Sequence, residues 1–356
     1  MHPSRRISLW ITATAFALLS ACGGGSGSAP QATVSTPATP STPTTVTDVY
    51  VAGYQWGTGM DNTAVYWKNG RPVKLDPGVS GGFGATAITV SKGDVYVVGN
   101  QFGNNPNAAL YWKNGTPVPL SASGRANAIA VSSTGDVYVV GDDATGAKLW
   151  KNGIGTKLNV TSMTPLKSAI ATGIALVGQD VYVSGAVTKE GSMDNAQAIY
   201  WKNGQDTLLG TANLSCASCI ITVGSEIRMG GFTYQTGASS VDIVTWRPDG
   251  SEQKLFSTPS ISIVKGLWVQ GGKTLAAGTI GSDGNTCNGF FWDGSTQSDI
   301  GASISGVAVS GSDIYLTGSA LLTNVPTLWK NNAPTTLPLL SGASHGNVSA
   351  LCVDTH

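Results

Sequence analysis

From Asp48 onward, apolar and polar positions alternate in short bursts that recur along the whole chain. The phrase DVYVVG stands at 94–99 and again at 136–141. Its variants are DVYVAG at 48, DVYVSG at 180, EIRMGG at 226, KTLAAG at 273 and DIYLTG at 313. The closing glycines are Gly53, Gly99, Gly141, Gly185, Gly231, Gly278 and Gly318, spaced by 46, 42, 44, 46, 47 and 40 residues. A burst this rich in β-branched and aromatic residues, and too short for a helix, predicts a strand.

A second phrase follows each glycine: AVYWKNG, AALYWKNG, AKLWKNG, QAIYWKNG, IVTWRPDG, GFFWDG and PTLWKNN. Its tryptophans are Trp67, Trp112, Trp150, Trp201, Trp246, Trp292 and Trp329, so seven of the ten in the chain hold one repeat position. Directly after come Asn69-Gly70, Asn114-Gly115, Asn152-Gly153, Asn203-Gly204, Asp249-Gly250, Asp293-Gly294 and Asn331-Asn332. Type I′ hairpin turns need positive φ at both central positions, which these residues tolerate best, so each pair predicts an antiparallel hairpin. A third strand precedes six of the seven DVYVVG phrases: ATAITV, NAIAV, TGIALV, SCIITV, KGLWVQ and SGVAV. Small residues recur near its start (Ala87, Ala128, Gly173, Cys219, Gly266, Gly306), as strands crowding round an axis require. A fourth short strand, such as PVKL at 72–75, follows the turn.

Four antiparallel strands repeated seven times describe an all-β, seven-bladed β-propeller. No inner strand precedes Asp48, and the missing one reads VSALCV at 348–353. The expectation is a ring closed by a C-terminal inner strand, which removes two exposed sheet edges. On these phrases, residues 48–353 resemble bacterial propeller lipoproteins with YWKNG-type repeats, and loosely NHL-type propellers. The resemblance implies a fold and brings no catalytic residue.

The first 22 residues read as an address. Arg5 and Arg6 precede an apolar run, Ile7 to Leu19, that is short for a membrane span. Leu19-Ser20-Ala21-Cys22 resembles the lipobox of bacterial lipoproteins, which implies acylation of Cys22 and a place in the cell envelope, on the outer membrane and facing the periplasm or the surface. Residues 23–47 are mostly Gly, Ser, Ala, Pro and Thr and predict a disordered tether, leaving 48–356 as the propeller. Only 11% of residues are charged, with 20 basic and 20 acidic side chains. That balance gives no electrostatic footprint for nucleic acid.

Loops on a rigid scaffold carry most binding sites, and the longer, more variable loops here join second to third strands and blade to blade. Three begin alike: Tyr54-Gln55-Trp56, Asn100-Gln101-Phe102 and Phe232-Thr233-Tyr234. Aromatic faces beside amides suit sugar rings or a peptide, so Gln55, Trp56, Gln101, Phe102 and Tyr234 are candidate ligand-binding residues. Lys265 is the only charge at its inner-strand position and becomes an anion contact if it faces the opening. Met60-Asp61-Asn62 and Met193-Asp194-Asn195 echo each other but are ordinary turn chemistry. Asp142, Asp143 and Asp283 fall short of the oxygen ligands a calcium loop needs.

His2, His345 and His356 are the three histidines; only His345 could serve as a base in a fixed site, and a surface-loop histidine is the plainer reading of it. No phosphate loop or serine elbow is present. Apart from Cys22, four cysteines remain: Cys216, Cys219, Cys287 and Cys352. Cys216 and Cys219 form a CxxC that a disulfide can close only if the chain turns there, since an extended strand holds them about 10 Å apart. No second CxxC completes a zinc site, so no metal or cofactor is expected. The reading is a monomeric, non-enzymatic binding or interaction scaffold for a carbohydrate, peptide or envelope protein. The runner-up is a lyase or hydrolase acting on an extracellular polymer at the central opening.

Overall fold

The computed structural model describes residues 46–102, 108–189, 195–210, 212–281, 288–320 and 324–356. The leader, Cys22 and nearly all of the tether lie outside them, as do Met193, Asp194, Asp283 and Cys287. The described chain forms seven four-stranded antiparallel sheets, each pairing an inner, second, third and outer strand, in sequence order in six of them. Blade 2 is typical, running Gly82–Ser91, Asp94–Phe102, Ala109–Lys113 and Thr116–Ser121.

Blade 1 joins both ends of the domain. Its second strand, Thr47–Gly57, pairs with the inner strand His345–Thr355 from Thr47 opposite Thr355 to Trp56 opposite His345. Val46 and His356 exchange backbone hydrogen bonds of 2.8 and 3.0 Å, so pairing reaches the last residue. The other inner strands are Gly124–Val131, Ser168–Val177, Leu214–Val223, Ser262–Gln270 and Ala302–Ser310. Each lies against the next, and that of blade 1 lies against blade 2, which closes a seven-bladed β-propeller. Among the described residues its core forms seven apolar clusters set between neighbouring blades, one of them reaching from blade 4 to blade 6.

The repeat letters each have a structural job. In blades 1, 2, 3, 4 and 7 the lysine after the tryptophan reaches back to the aspartate that opens the second strand, as Lys68–Asp48 and Lys113–Asp94 do at 2.9 Å. The same ammonium lies 5.2–5.4 Å from the centroid of the tyrosine between them. The turn asparagine accepts a hydrogen bond from the backbone N–H that follows the aspartate and donates to the aspartate itself: Asn69 accepts from Val49 N and donates to Asp48. Asn69 and Lys68 together hold the Asp48 carboxyl below its ordinary range.

These five turns have positive φ at both central residues, as type I′ requires. Blades 5 and 6 depart from the expectation: Gly250 and Gly294 have positive φ, but Asp249 and Asp293 do not. There the aspartate caps a longer loop, Asp249 accepting from Ser251 N and Asp293 from Ser295 N and Thr296 N. Pro248 accounts for the extra length in blade 5.

The tryptophans lie on the next level. Trp67, Trp112, Trp201 and Trp246 are fully buried and Trp150 nearly so, whereas Trp292 and Trp329 are half-buried. Three donate to a carbonyl of the segment leading into their blade: Trp67 to Pro338, Trp112 to Asp76 and Trp201 to Asn159, at 2.6–2.7 Å. In blades 2, 4 and 5 the indole covers the repeat glycine.

Every inner strand carries one extra residue opposite that glycine. The bulged residues are Ser349, Thr86, Asn127, Thr172, Ser218, Lys265 and Ser305, in blades 1 to 7. A bulge kinks its strand and re-aims its backbone. Here it drives the carbonyl of Asn347, Gly84, Arg125, Ile170, Cys216, Ile263 or Ser303 against the repeat glycine, where a β-carbon would collide with it. The glycine is therefore a matter of space.

Replacing Gly141 with alanine should destabilise the domain by about 1–3 kcal/mol or more, because backbone has to move. Urea unfolding measures it, and a loss under about 0.5 kcal/mol would contradict the contact. Removing residues 346–356 takes the inner strand from blade 1. The truncated chain should lose its cooperative melting transition, and an unchanged transition would refute the closure.

Candidate functional site

Two regions stand out, and they open on different faces. On the face that carries the second-to-third loops, four rings meet at the seam between blades 1 and 2. Tyr54 and Trp56 leave the second strand of blade 1 on the same side, as alternate strand residues must. Phe102 ends the second strand of blade 2, and His345 starts the inner strand of blade 1 opposite Trp56. The His345 and Trp56 rings stack at 5.5 Å and 13°, Trp56 and Tyr54 at 5.4 Å and 28°, and Tyr54 meets Phe102 at 4.9 Å. Gly84 lies under the Tyr54 and Phe102 rings, and its missing β-carbon makes room for them. Trp56 and Tyr54 are half-buried, while the row ends on exposed His345 and on Phe102, 37% exposed. Ser344 shares a 2.8 Å hydrogen bond with His345 Nδ1.

The row joins two of the sequence candidates, Trp56 and Phe102, and adds Tyr54 and His345. It excludes the glutamines. Gln55 is fully buried on the opposite side of its strand, accepting from Leu340 N at 2.7 Å and donating to Pro338 O. Gln101 is 8% exposed and donates to Ser80 O at 3.0 Å. Both amides fasten the segment that enters their blade. Tyr234 is half-buried in blade 5, where it pairs with Leu214 and packs in an apolar cluster. Met60, Asp61 and Asn62 border a cleft of about 470 Å³ with Lys74 and Asp76.

The second region is the axial lumen. A cavity of about 920 Å³ is lined by residues from all seven inner strands, among them Thr89, Val131, Leu176, Thr222, Val269, Val309 and Val353. These positions lie toward the C-terminal ends of the inner strands, so the cavity opens on the face of the tight turns. The loop lengths had pointed to the opposite face, because variable loops are conspicuous in a sequence and a lumen is not.

The bulged residues ring the lumen, and four of them latch consecutive blades. Thr86 donates to Ala126 O at 2.7 Å, Asn127 to Ala171 O at 2.8 Å, Thr172 to Ala217 O at 2.6 Å and Ser218 to Val264 O at 2.9 Å. Lys265 interrupts the series. It is exposed, whereas the other six are half-buried. An exposed side chain midway along an innermost strand, between buried Val264 and buried Gly266, reaches solvent through the lumen. Protein crowds around it even so, and the lost hydration lowers the Lys265 pKa below the ordinary lysine value. No described carboxylate pairs with it; its electrostatic neighbour is Cys219.

Cys216, Cys219 and Cys352 are free thiols. Cys216 and Cys219 flank the blade 5 bulge in a continuing strand, opposite Phe232 and Gly230, with no turn to bring them together. Burial pushes both thiols up to about 12, which keeps them protonated and unreactive. Asp142 pairs with Arg125 at 3.1 Å and Asp143 with Lys148 at 3.2 Å. Among the described residues, no group of three or more metal-ligating side chains converges.

No protein-family model matches the chain. Ice-binding protein 1 of Shewanella frigidimarina (strain NCIMB 400) is 30% identical over 166 residues, which cover 46% of this chain and 17% of that protein. The chain thus spans less than a fifth of that relative's length. Among solved structures, a puromycin-hydrolysing peptidase of Mycobacterium tuberculosis superposes with a TM-score of 0.54 at 13% identity, over 83% of this chain and 51% of that one. The β-propeller domain of the Trilobed protease from Pyrococcus furiosus gives a TM-score of 0.46 at 12% identity, over 83% and 93% of the two chains. At these identities the likeness is one of fold alone.

Proposed function

We propose that this chain is a cell-envelope lipoprotein, anchored through Cys22 on the outer membrane, whose propeller binds a carbohydrate without chemically changing it. The aromatic row His345–Trp56–Tyr54–Phe102 carries the reading. Rings partly open to solvent, held rigid by three strands and by each other, stack on the apolar face of a sugar at little entropic cost. Phe102 and His345 are the exposed ends to which such a ring would apply itself. The leader and the Gly/Ser/Pro-rich stretch before the propeller support the address. A chain with few unpaired charges is suited to a neutral polymer.

Ice is a less natural ligand for this fold, whatever its part in the relative that bears the name. An ice lattice is flat and regular, whereas equivalent positions of this repeat point in seven directions round an axis.

The test uses the full chain carrying Cys22→Ser, so that it has no acyl group, screened against glycan and peptide arrays. A glycan should bind, and Trp56→Ala and Phe102→Ala should each weaken it roughly tenfold while the melting temperature stays put. Binding that neither substitution touches, binding of peptides only, or cleavage of the bound glycan would each overturn the reading.

A further inference from the structure

The ring of bulged residues is complete as a latch from blade 2 to blade 5 and open from blade 6 to blade 1. Thr86, Asn127, Thr172 and Ser218 each hold the next blade's carbonyl. Lys265 and the hydroxyls of Ser305 and Ser349 hold nothing among the described residues. The carbonyl at the place that Lys265 would latch, that of Ile304, accepts instead from Thr279 at 2.9 Å. Beside Ser305 a fourth donor is idle. Thr317 Oγ1 is buried without a hydrogen-bond partner, next to the place where Gly306 faces blade 1. At the matching position of blade 4, Ser184 hydrogen-bonds the bulged Thr172. Three adjoining blades therefore carry, at one level of the ring, an unpaired ammonium and the unpaired hydroxyls of Ser305 and Ser349, with that of Thr317 buried behind them.

Two residues further along the inner strands the lumen widens into the cavity of about 920 Å³. Its lining there includes the apolar residues Ile174, Leu176, Ile221, Val269 and Leu351 together with Thr89 and Thr222. Lys265, Ser305 and Ser349 precede the lining residues on their own strands, and a cavity of this size with a few polar donors at one end is the usual form of a small-molecule site. An unpaired ammonium in such surroundings loses hydration that only an anion restores.

We infer that the axial lumen is a binding site for a small carboxylate with an apolar body. The carboxylate would lie against Lys265, Ser305 and Ser349, and the apolar body would fill the cavity toward the tight turns. The site is separate from the aromatic row. His345 opens its strand four residues before Ser349, about 13 Å away along an extended chain, and on the far side of the ring of bulges from the cavity.

Decanoate and decanol are suitable probes, titrated calorimetrically below their aggregation limits into the full chain carrying Cys22→Ser. Decanoate should bind, and Lys265→Met should weaken it about tenfold or more while changing decanol binding less than about twofold. The Lys265→Met protein should melt no lower than its parent, because no internal partner is lost. Ile174→Trp, which fills the cavity from another blade, should abolish binding of both probes. Trp56→Ala should leave decanoate binding intact, so failure of the glycan reading and failure of this one can be told apart. Absence of decanoate binding, equal affinity in the Lys265→Met protein, survival of binding in the Ile174→Trp protein, or its loss in the Trp56→Ala protein would overturn the inference.

Discussion

The carbonyl oxygen that precedes each inner-strand bulge lies against the α-carbon of the repeat glycine, and this contact sets the geometry of all seven blades. The bulge turns the inner strand midway along the axis, and the glycine is what lets the second strand stay paired with it. In blades 2, 4 and 5 the tryptophan of the third strand covers that same glycine. Its indole in blades 1, 2 and 4 then fixes the segment entering the blade through a carbonyl. Bulge, glycine, indole and entry segment form one chain of contacts running outward from the lumen. The Asp–Tyr–Lys–Asn group stands apart from it, at the tight-turn rim, where it pins the hairpin to the start of the second strand. An exposed ion pair contributes little alone, but here it shares its aspartate with an amide and its lysine with a ring.

The same contact explains what the bulged side chain is free to do. Its backbone is committed to the glycine, so the side chain is directed to the lumen and toward the next blade. Thr, Asn and Ser at this position turn that freedom into blade-to-blade hydrogen bonds. Each replaces a buried carbonyl's lost water, which matters because an unpaired buried carbonyl is costly. Lysine is too long and too strongly hydrated to serve that way. At blade 6 the next blade's carbonyl is held by Thr279, one residue beyond the repeat glycine, and Lys265 takes no part in the latch.

The scaffold was legible in the sequence to the extent that its parts repeat. Gly53 to Gly318 and Trp67 to Trp329 recur because each occupies the same mould, and the strand at 348–353 was needed to complete the seventh inner position. The bulge was legible only by its shadow. The recurrent small residues Ala87, Ala128, Gly173, Cys219, Gly266 and Gly306 each sit directly after a bulged residue, whose own identity varies too much to show as a pattern. The glutamines misled because adjacency in sequence is opposition in a strand. Gln55 stands between Tyr54 and Trp56 but faces the other way, into the entry segment. His345 joined the aromatic row across the closure, from a residue 289 positions after Trp56, and no local pattern announces such a contact. The turns of blades 5 and 6 were misread because Asp-Gly fits a two-residue hairpin until Pro248, or the Ser295 and Thr296 amides bound to Asp293, lengthen it.

A repeat fold of this kind places its chemistry where the repeat fails. Residues that most blades share are used up by the blade: the aspartates by lysine and asparagine in five blades, the tryptophans by burial in five, the bulged side chains by the neighbouring carbonyl in four. A ligand therefore meets what is left over, and two such remainders form the candidate sites. One is the seam of blade 1, where strands from opposite ends of the domain bring His345 beside Trp56. The other is the sector from blade 6 to blade 1, where Lys265 takes no part in the latch and Ser305, Ser349 and Thr317 are left without partners. The two meet at the same closing strand, His345–Thr355, which carries His345 at its loop-face end and Ser349 and Leu351 along the lumen. The strand that gives the ring its closure is also the one that breaks its symmetry, and for that reason it borders both candidate sites.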